Sequence, residues 1–257
     1  MVAPEARGTT PDVPRQLPRW RPDLGYTWVL GDFAVRALLR DAPERALEVR
    51  LHRDADARLR ADLAAACEAA GVPLRRDDAA VEAKRSKANA TVLALLRSDD
   101  DALDPTAPQV ALVRPREAGN VGTALRTAVA LGVRDVAVIG GIDPRSPHVL
   151  RASLGTAFAA RVARPASLAA WADAARRTSG APPLLLHGGA ARSLRDLAPG
   201  GGAPLRLAVG PEWPGFDAAD LAHGTPARID VDPDAESLNV AVALGIALHH
   251  LGAGPAR

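Results

Sequence analysis

At 257 residues, 47% apolar and 24% charged, the chain can bury a core as one large domain or two modest ones, and its apolar content excludes a wholly disordered polypeptide. The formal net charge of +2, from 32 basic and 30 acidic residues, is too balanced to announce a nucleic-acid partner by itself. One cysteine, Cys67, excludes an intrachain disulfide framework, and with no apolar run of membrane-spanning length and no signal-peptide core the expectation is a cytoplasmic protein.

Residues 1–19 hold four prolines and little apolar material, and read as a disordered tail. From 20 to 97 the pattern alternates: a helix over 29–43 with Phe33, Ala37 and Leu38 on one face, a strand over 46–52, a helix closed by Gly71, then strands at 72–75 and 89–96. This predicts a small α/β unit, with Cys67 in the core. Residues 98–109, acidic and proline-bearing, read as a linker. From 110 to 257 a second alternation places strands at 111–113, 136–139, 184–187, 205–209 and 228–231, with a last helix over 238–251. Strand–helix alternation of this kind predicts a mostly parallel sheet with helices on both faces.

Charge is distributed unevenly along this second region. Residues 110–165 carry eight arginines against three acids, and residues 215–236 carry six acids against Arg228. The 30 arginines beside only Lys84 and Lys87 fit genome composition as well as they fit phosphate recognition.

Three segments put glycines and polar residues where a strand gives way to a loop, the edge of a parallel sheet at which ligands bind. In RPREAGNVGTALRTAVALG (114–132), Asn120 is a cap candidate for a helix starting near Val121, and Gly122 permits close backbone approach. Arg126 follows Leu125 near the apolar stripe. A guanidinium there either pairs with an anion or snorkels to water. In LAVGPEWPGFD (207–217), Gly210 and Gly215 bare the backbone around Glu212. In DVDPDAESLNVAVALGIALHHL (230–251), Ser237 is a candidate helix cap with Asn239 in the first turn. A dinucleotide fingerprint, a P-loop, a G-x-S-x-G elbow and zinc-ligand spacings are all missing from the sequence.

In this order the three loops resemble the signature motifs of the SpoU (TrmH-like) branch of the SPOUT RNA methyltransferases: NVGTALRTAVALGV the first, VGPEWPGF the second and SLNVAVALGIAL the third. The resemblance covers 110–251, and the amino-terminal unit is loosely similar to the RNA-binding domain that often precedes this one. It implies an α/β fold with a trefoil-knotted, mostly parallel-sheet catalytic domain behind a small α/β RNA-binding domain. It also implies S-adenosylmethionine as methyl donor, no metal, a homodimer packed knot against knot, and transfer to a ribose 2′-hydroxyl of rRNA or tRNA. Carried over by position, Asn120, Arg126, Glu212, Ser237 and Asn239 are the catalytic set. His187, Gly188, Gly210, Gly215, Ile229 and Leu238 would hold the donor, and Lys84, Arg85, Lys87, Arg126 and Arg151 would meet RNA. Asp230 stands where the family usually has proline, and Trp213 is a bulky choice inside the second motif. An RNA-binding protein of this fold without catalysis, and a base-directed methylase, are the competing readings.

Overall fold

The computed structural model describes residues 14–85, 90–198, 204–232, 234–235 and 237–252. The chain divides into two compact units, residues 1–99 and 100–257.

The first unit is built from β1 (Tyr26–Leu30), α1 (Asp32–Asp41), β2 (Ala46–Leu51), α2 (Ala57–Ala70), β3 (Leu74–Arg76), α3 (Asp78–Lys84) and β4 (Val92–Arg97). Its sheet runs β1-β4-β2-β3, with β4 antiparallel to both neighbours and β3 parallel to β2. The helix expected from residue 29 starts later, because Val29 and Leu30 end β1 and Gly31, at φ 97°, turns the chain into α1. Phe33 consequently points to solvent, 68% exposed, while Ala34, Val35, Ala37, Leu38 and Leu39 are buried. Cys67 is buried on α2, whose Asp56 cap and left-handed Gly71 close the two ends.

Residues 14–19 do not form a free tail. Leu17 is buried, the fully buried Arg50 guanidinium donates to the carbonyls of Pro14 and Arg15 at 3.2 and 2.9 Å, and Lys84 donates to that of Pro18 at 2.6 Å. Arg50 is tolerated inside because Glu48 and Asp77 pair with it. Residues 1–13 lie outside the described residues.

The second unit comprises β5 (Gln109–Val113), α4 (Ala118–Ala130), β6 (Asp135–Ile139), α5 (Pro147–Ala152), β7 (Arg161–Ala163), α6 (Leu168–Ser179), β8 (Leu184–Leu186), β9 (Arg206–Val209), α7 (Ala218–Leu221), β10 (Thr225–Ala227) and α8 (Val240–His250). All six strands are parallel, in the order β10-β8-β9-β5-β6-β7. Strands covered on both faces need apolar side chains on both, and β5 and β6 are buried at every position. The strand expected at 228–231 is instead β10 at 225–227. Past it only Arg228 pairs, in an isolated bridge to Ser193. β7, three residues long, carries too short a pattern to be read from sequence. The linker expected at 98–109 is largely tied into this unit: the Asp101 carboxylate accepts from Arg145 and from the Val162 amide, each at 2.7 Å.

Candidate active site

The strand order reverses between β5 and β9, so the loops leaving their carboxyl ends diverge and open a crevice. α4 follows β5 and the Gly210–Phe216 loop follows β9. α8 packs against α4 and reaches β9. All three sequence segments therefore meet at one end of the sheet.

A cavity of about 830 Å³ lies there, within the size range of small-molecule sites. His187, Gly188, Gly210, Gly215, Ile229 and Leu238 all line it, joined by Glu212, Trp213 and Ser237. The glycines matter for different reasons. A Cβ on Gly210 would stand 3.2 Å from the ring of buried Phe216, whereas Gly215, at φ 88°, adopts a conformation that side chains disfavour. The result is a mouth with bare backbone on one side and apolar Ile229 and Leu238 on another. Pro211, Val231, Val240 and Ala243 also line it and were not singled out from sequence. Only their proximity to the motif residues could have pointed to them.

Beside the cavity an ordered relay crosses the three segments. Asn239, not Ser237, caps α8, its side-chain oxygen accepting from the amides of Ala241 and Val242 at 2.9 and 3.4 Å. Its Nδ2 is thereby committed as donor and meets Asn120 Oδ1 at 2.8 Å. Asn120 Nδ2 in turn donates to Glu212 Oε1 at 2.6 Å. Backbone donors at the start of α8 thus set the orientation of both amides, and the chain ends on a carboxylate acceptor. Asn120 lies in the first turn of α4 instead of capping it, since the helix begins at Ala118 behind Glu117. Ser237 lines the cavity, exposed, and makes no hydrogen bond to the described residues.

A second clamp fixes the same loops from below. Arg114, at φ 49°, ends β5 and donates to both oxygens of buried Asp220 on α7, at 3.1 and 2.5 Å. That bidentate pair holds the Asp220 carboxyl below its ordinary range and raises Arg114 above its own. Arg114 was counted only as one of many arginines, and Asp220 as one of an acidic run.

Arg126 is exposed on α4, lines neither the cavity nor the relay, and has no ion-pair partner among the described residues. Of the two alternatives for Arg126, its exposure fits the one in which the guanidinium reaches water: on this helix Val121, Ala124, Leu125 and Ala128 face inward and Arg126 faces out. Much of the arginine excess of 110–165 is spent internally. Arg114, Arg145, Arg161 and Arg164 pair with Asp220, Asp101, Asp135 and Asp143, and Arg134 donates to the Ala159 carbonyl at 3.0 Å. Arg116 and Arg126 remain exposed without such partners among the described residues, and Arg151 is exposed on α5.

Asp230, the departure beside the third motif, accepts from the Ser193 hydroxyl at 2.5 Å and pairs with Arg228 at 3.0 Å. These contacts lower its pKa, the Ser193 bond foremost. It locks the segment after β10 to the 192–194 turn, an internal role that the sequence alone did not suggest. In the first unit, Lys84 sits 4.5 Å over the Trp28 ring besides holding Pro18, and Arg85 pairs with Glu82 at 3.5 Å. Lys84 is thus engaged by a carbonyl and an aromatic face within its own unit. Lys87 lies outside the described residues.

Comparison with known proteins bears on the same region. The chain is 33% identical over 140 residues to an uncharacterised tRNA/rRNA methyltransferase of Synechocystis sp., a match spanning 54% of the chain and 50% of that relative. Its fold is similar to the SpoU methyltransferase AviRb from Streptomyces viridochromogenes, with a TM-score of 0.75 at 19% identity over 89% of both chains. It is also similar to an AdoMet-bound rRNA methyltransferase from Sinorhizobium meliloti, with a TM-score of 0.70 at 25% identity over 88% and 87% of the two chains. An RNA 2′-O ribose methyltransferase gives 0.68 at 27% identity over 88% of each. Residues 107–249, which contain the first two segments, most of the third and the whole relay, match the model of the SpoU rRNA Methylase family, and the chain belongs to that family.

Proposed function

We propose that the protein transfers a methyl group from S-adenosylmethionine to a ribose 2′-hydroxyl of rRNA or tRNA. The observation that carries this reading is the convergence of Asn120, Glu212 and Asn239 in one hydrogen-bonded chain beside a cavity large enough for the donor. The cavity suits such a ligand: bare backbone at Gly188, Gly210 and Gly215 can meet polar edges, and Ile229 and Leu238 can meet a flat apolar face. When bound, the donor supplies an already activated methyl on a sulfonium.

The residues of the chain then have alignment and one proton to manage. The relay holds the Glu212 loop rigidly against α4, fixing the cavity wall relative to the acceptor. Ser237, lining the cavity and without a partner among the described residues, is placed to orient the incoming ribose. Arg126 presents a guanidinium with five N–H donors and no acceptor. Its role is to hold the ribose phosphate and polarise the acceptor oxygen. Since it does not line its own cavity, that role fits a homodimer in which one protomer presents Arg126 to its partner. Exposed Val242 and Ile246 on α8, which packs against α4, offer the apolar face for such pairing. The segment after β10 runs along residues 192–194, through bonds from the Leu194 amide to Arg228 and from the Arg228 amide to Arg192, before α8 packs on α4. This course supports a knotted carboxyl terminus. We assign RNA contact to Arg116, Arg126 and Arg151 and to the first unit, and a working place in the cytoplasm. No helix among the described residues is long and apolar enough to cross a membrane.

The test is radiolabelled S-adenosylmethionine with bulk rRNA and tRNA from cells lacking the gene, followed by mass mapping of methylated nucleotides. Label on ribose is expected. Label on a base would replace the reading with base methylation. Calorimetry showing no donor binding would replace it with an RNA-binding protein that has lost catalysis.

A further inference from the structure

Four aromatic side chains belong to the second unit. Phe158, Trp171 and Phe216 are buried, at 5%, 3% and 5% exposure, whereas Trp213 is 76% exposed at the rim of the cavity. Tryptophan carries the largest apolar surface of any side chain, and leaving it in water forfeits the benefit of burying it. The ring is also not hanging on a loose segment. One residue before it, Glu212 is bonded to Asn120 at 2.6 Å, and three residues after it, Phe216 is packed into the core against Gly210. A rigid loop therefore presents an exposed indole beside the proposed transfer site.

We propose that Trp213 is the stacking platform for the base of the nucleotide being methylated. This rests on the ribose-methylation reading. A base is joined directly to its ribose, so once the sugar is delivered to the cavity mouth its base must lie within one nucleotide of that mouth, where Trp213 is the accessible aromatic ring of this unit. Trp213 stands at the rim of the cavity and is 76% exposed, so its ring is open to a base arriving from outside. Every base has a π-face, so the platform strengthens binding without reading sequence.

Because the ring is exposed, its replacement leaves the fold intact. Full-length Trp213→Ala, Trp213→Leu and Trp213→Phe are assayed with radiolabelled S-adenosylmethionine against the same rRNA and tRNA pools, and donor affinity is measured separately by calorimetry. The alanine and leucine variants are expected to raise KM for RNA about tenfold, the loss of one base–aromatic stack, with a smaller fall in kcat. Phenylalanine restores most of the affinity, and donor Kd stays within twofold throughout. Unchanged KM for RNA in the alanine variant would overturn the platform while leaving the methyltransferase reading intact. So would rescue by leucine as full as that by phenylalanine, or a donor Kd that weakens in step with KM. No label transfer by the wild-type protein to either pool would remove the activity itself and the platform with it.

Discussion

Asn120 and Arg126 lie six positions apart on α4 yet do opposite things. Asn120 is committed internally on both sides, so removing its amide leaves Asn239 and Glu212 each short of a partner. Asn120→Ala should cost about 1 kcal/mol of stability but about a hundredfold in turnover, through the shifted Glu212 loop; chemical denaturation and initial methylation rates check the two numbers. Arg126, exposed and without a partner among the described residues, carries no structural duty there. Arg126→Ala is expected to change stability by less than about 0.5 kcal/mol and to retain donor binding while losing most transfer. Wild-type turnover in that variant would remove its assigned role. The arginine was legible as a motif residue, but its direction was not. A one-position offset along a helix is 100° of rotation, and only the packed neighbours of α4 decide which side is inside.

Among the elements, α4 packs against both α5 and α8. Its Gly122 lies against α5, where an added Cβ would stand 2.5 Å from Ala152 Cβ and 2.7 Å from backbone atoms of Ala152 and Ser153. Backbone cannot swing aside as a side chain can, so Gly122→Ala should destabilise by about 1–3 kcal/mol, read as a lower denaturation midpoint at unchanged slope. The pair joining β5 to α7 has its own signature. The Asp220 pKa is depressed in the folded state, so its contribution is present above the unfolded carboxyl value of about 4 and fades as pH falls through the lower folded value. The stability gap between wild type and Asp220→Asn should thus be constant near neutrality and close on acidification below about pH 4, as urea titrations across pH would show. A gap that widened on acidification would contradict the pairing. Periodicity located α2, β5, β6 and β9 closely, because long or wholly apolar segments carry their own signal. It misplaced β10, where Ile229 and Val231 look strand-like but Asp230 is drawn to Ser193 and the chain has already left the sheet.

At the scale of the whole molecule, the exposed stripe of Val242 and Ile246 on α8 is the feature that a lone protomer leaves unexplained. Light scattering is expected to report about twice the 26.7 kDa chain mass for the wild type. Val242→Glu combined with Ile246→Glu should return the monomer and reduce activity sharply, since each cavity would lose the arginine of its partner. A monomeric wild type that remains active would place Arg126 differently.

The sequence by itself determined the α/β class, the second region's parallel sheet and the three chemistry-bearing loops, because strand and helix periods and glycine placement are local properties. Which of those groups touch was settled only by the tertiary structure. Asn120 and Glu212 are 92 residues apart and Asn120 and Asn239 are 119 apart, joined by the reversal of strand order at β5 and β9. The arginine-rich stretch makes the same point from the other side. Arg114, Arg145 and Arg164 are paired with Asp220, Asp101 and Asp100 from outside the stretch, and a count along the sequence contains no distances.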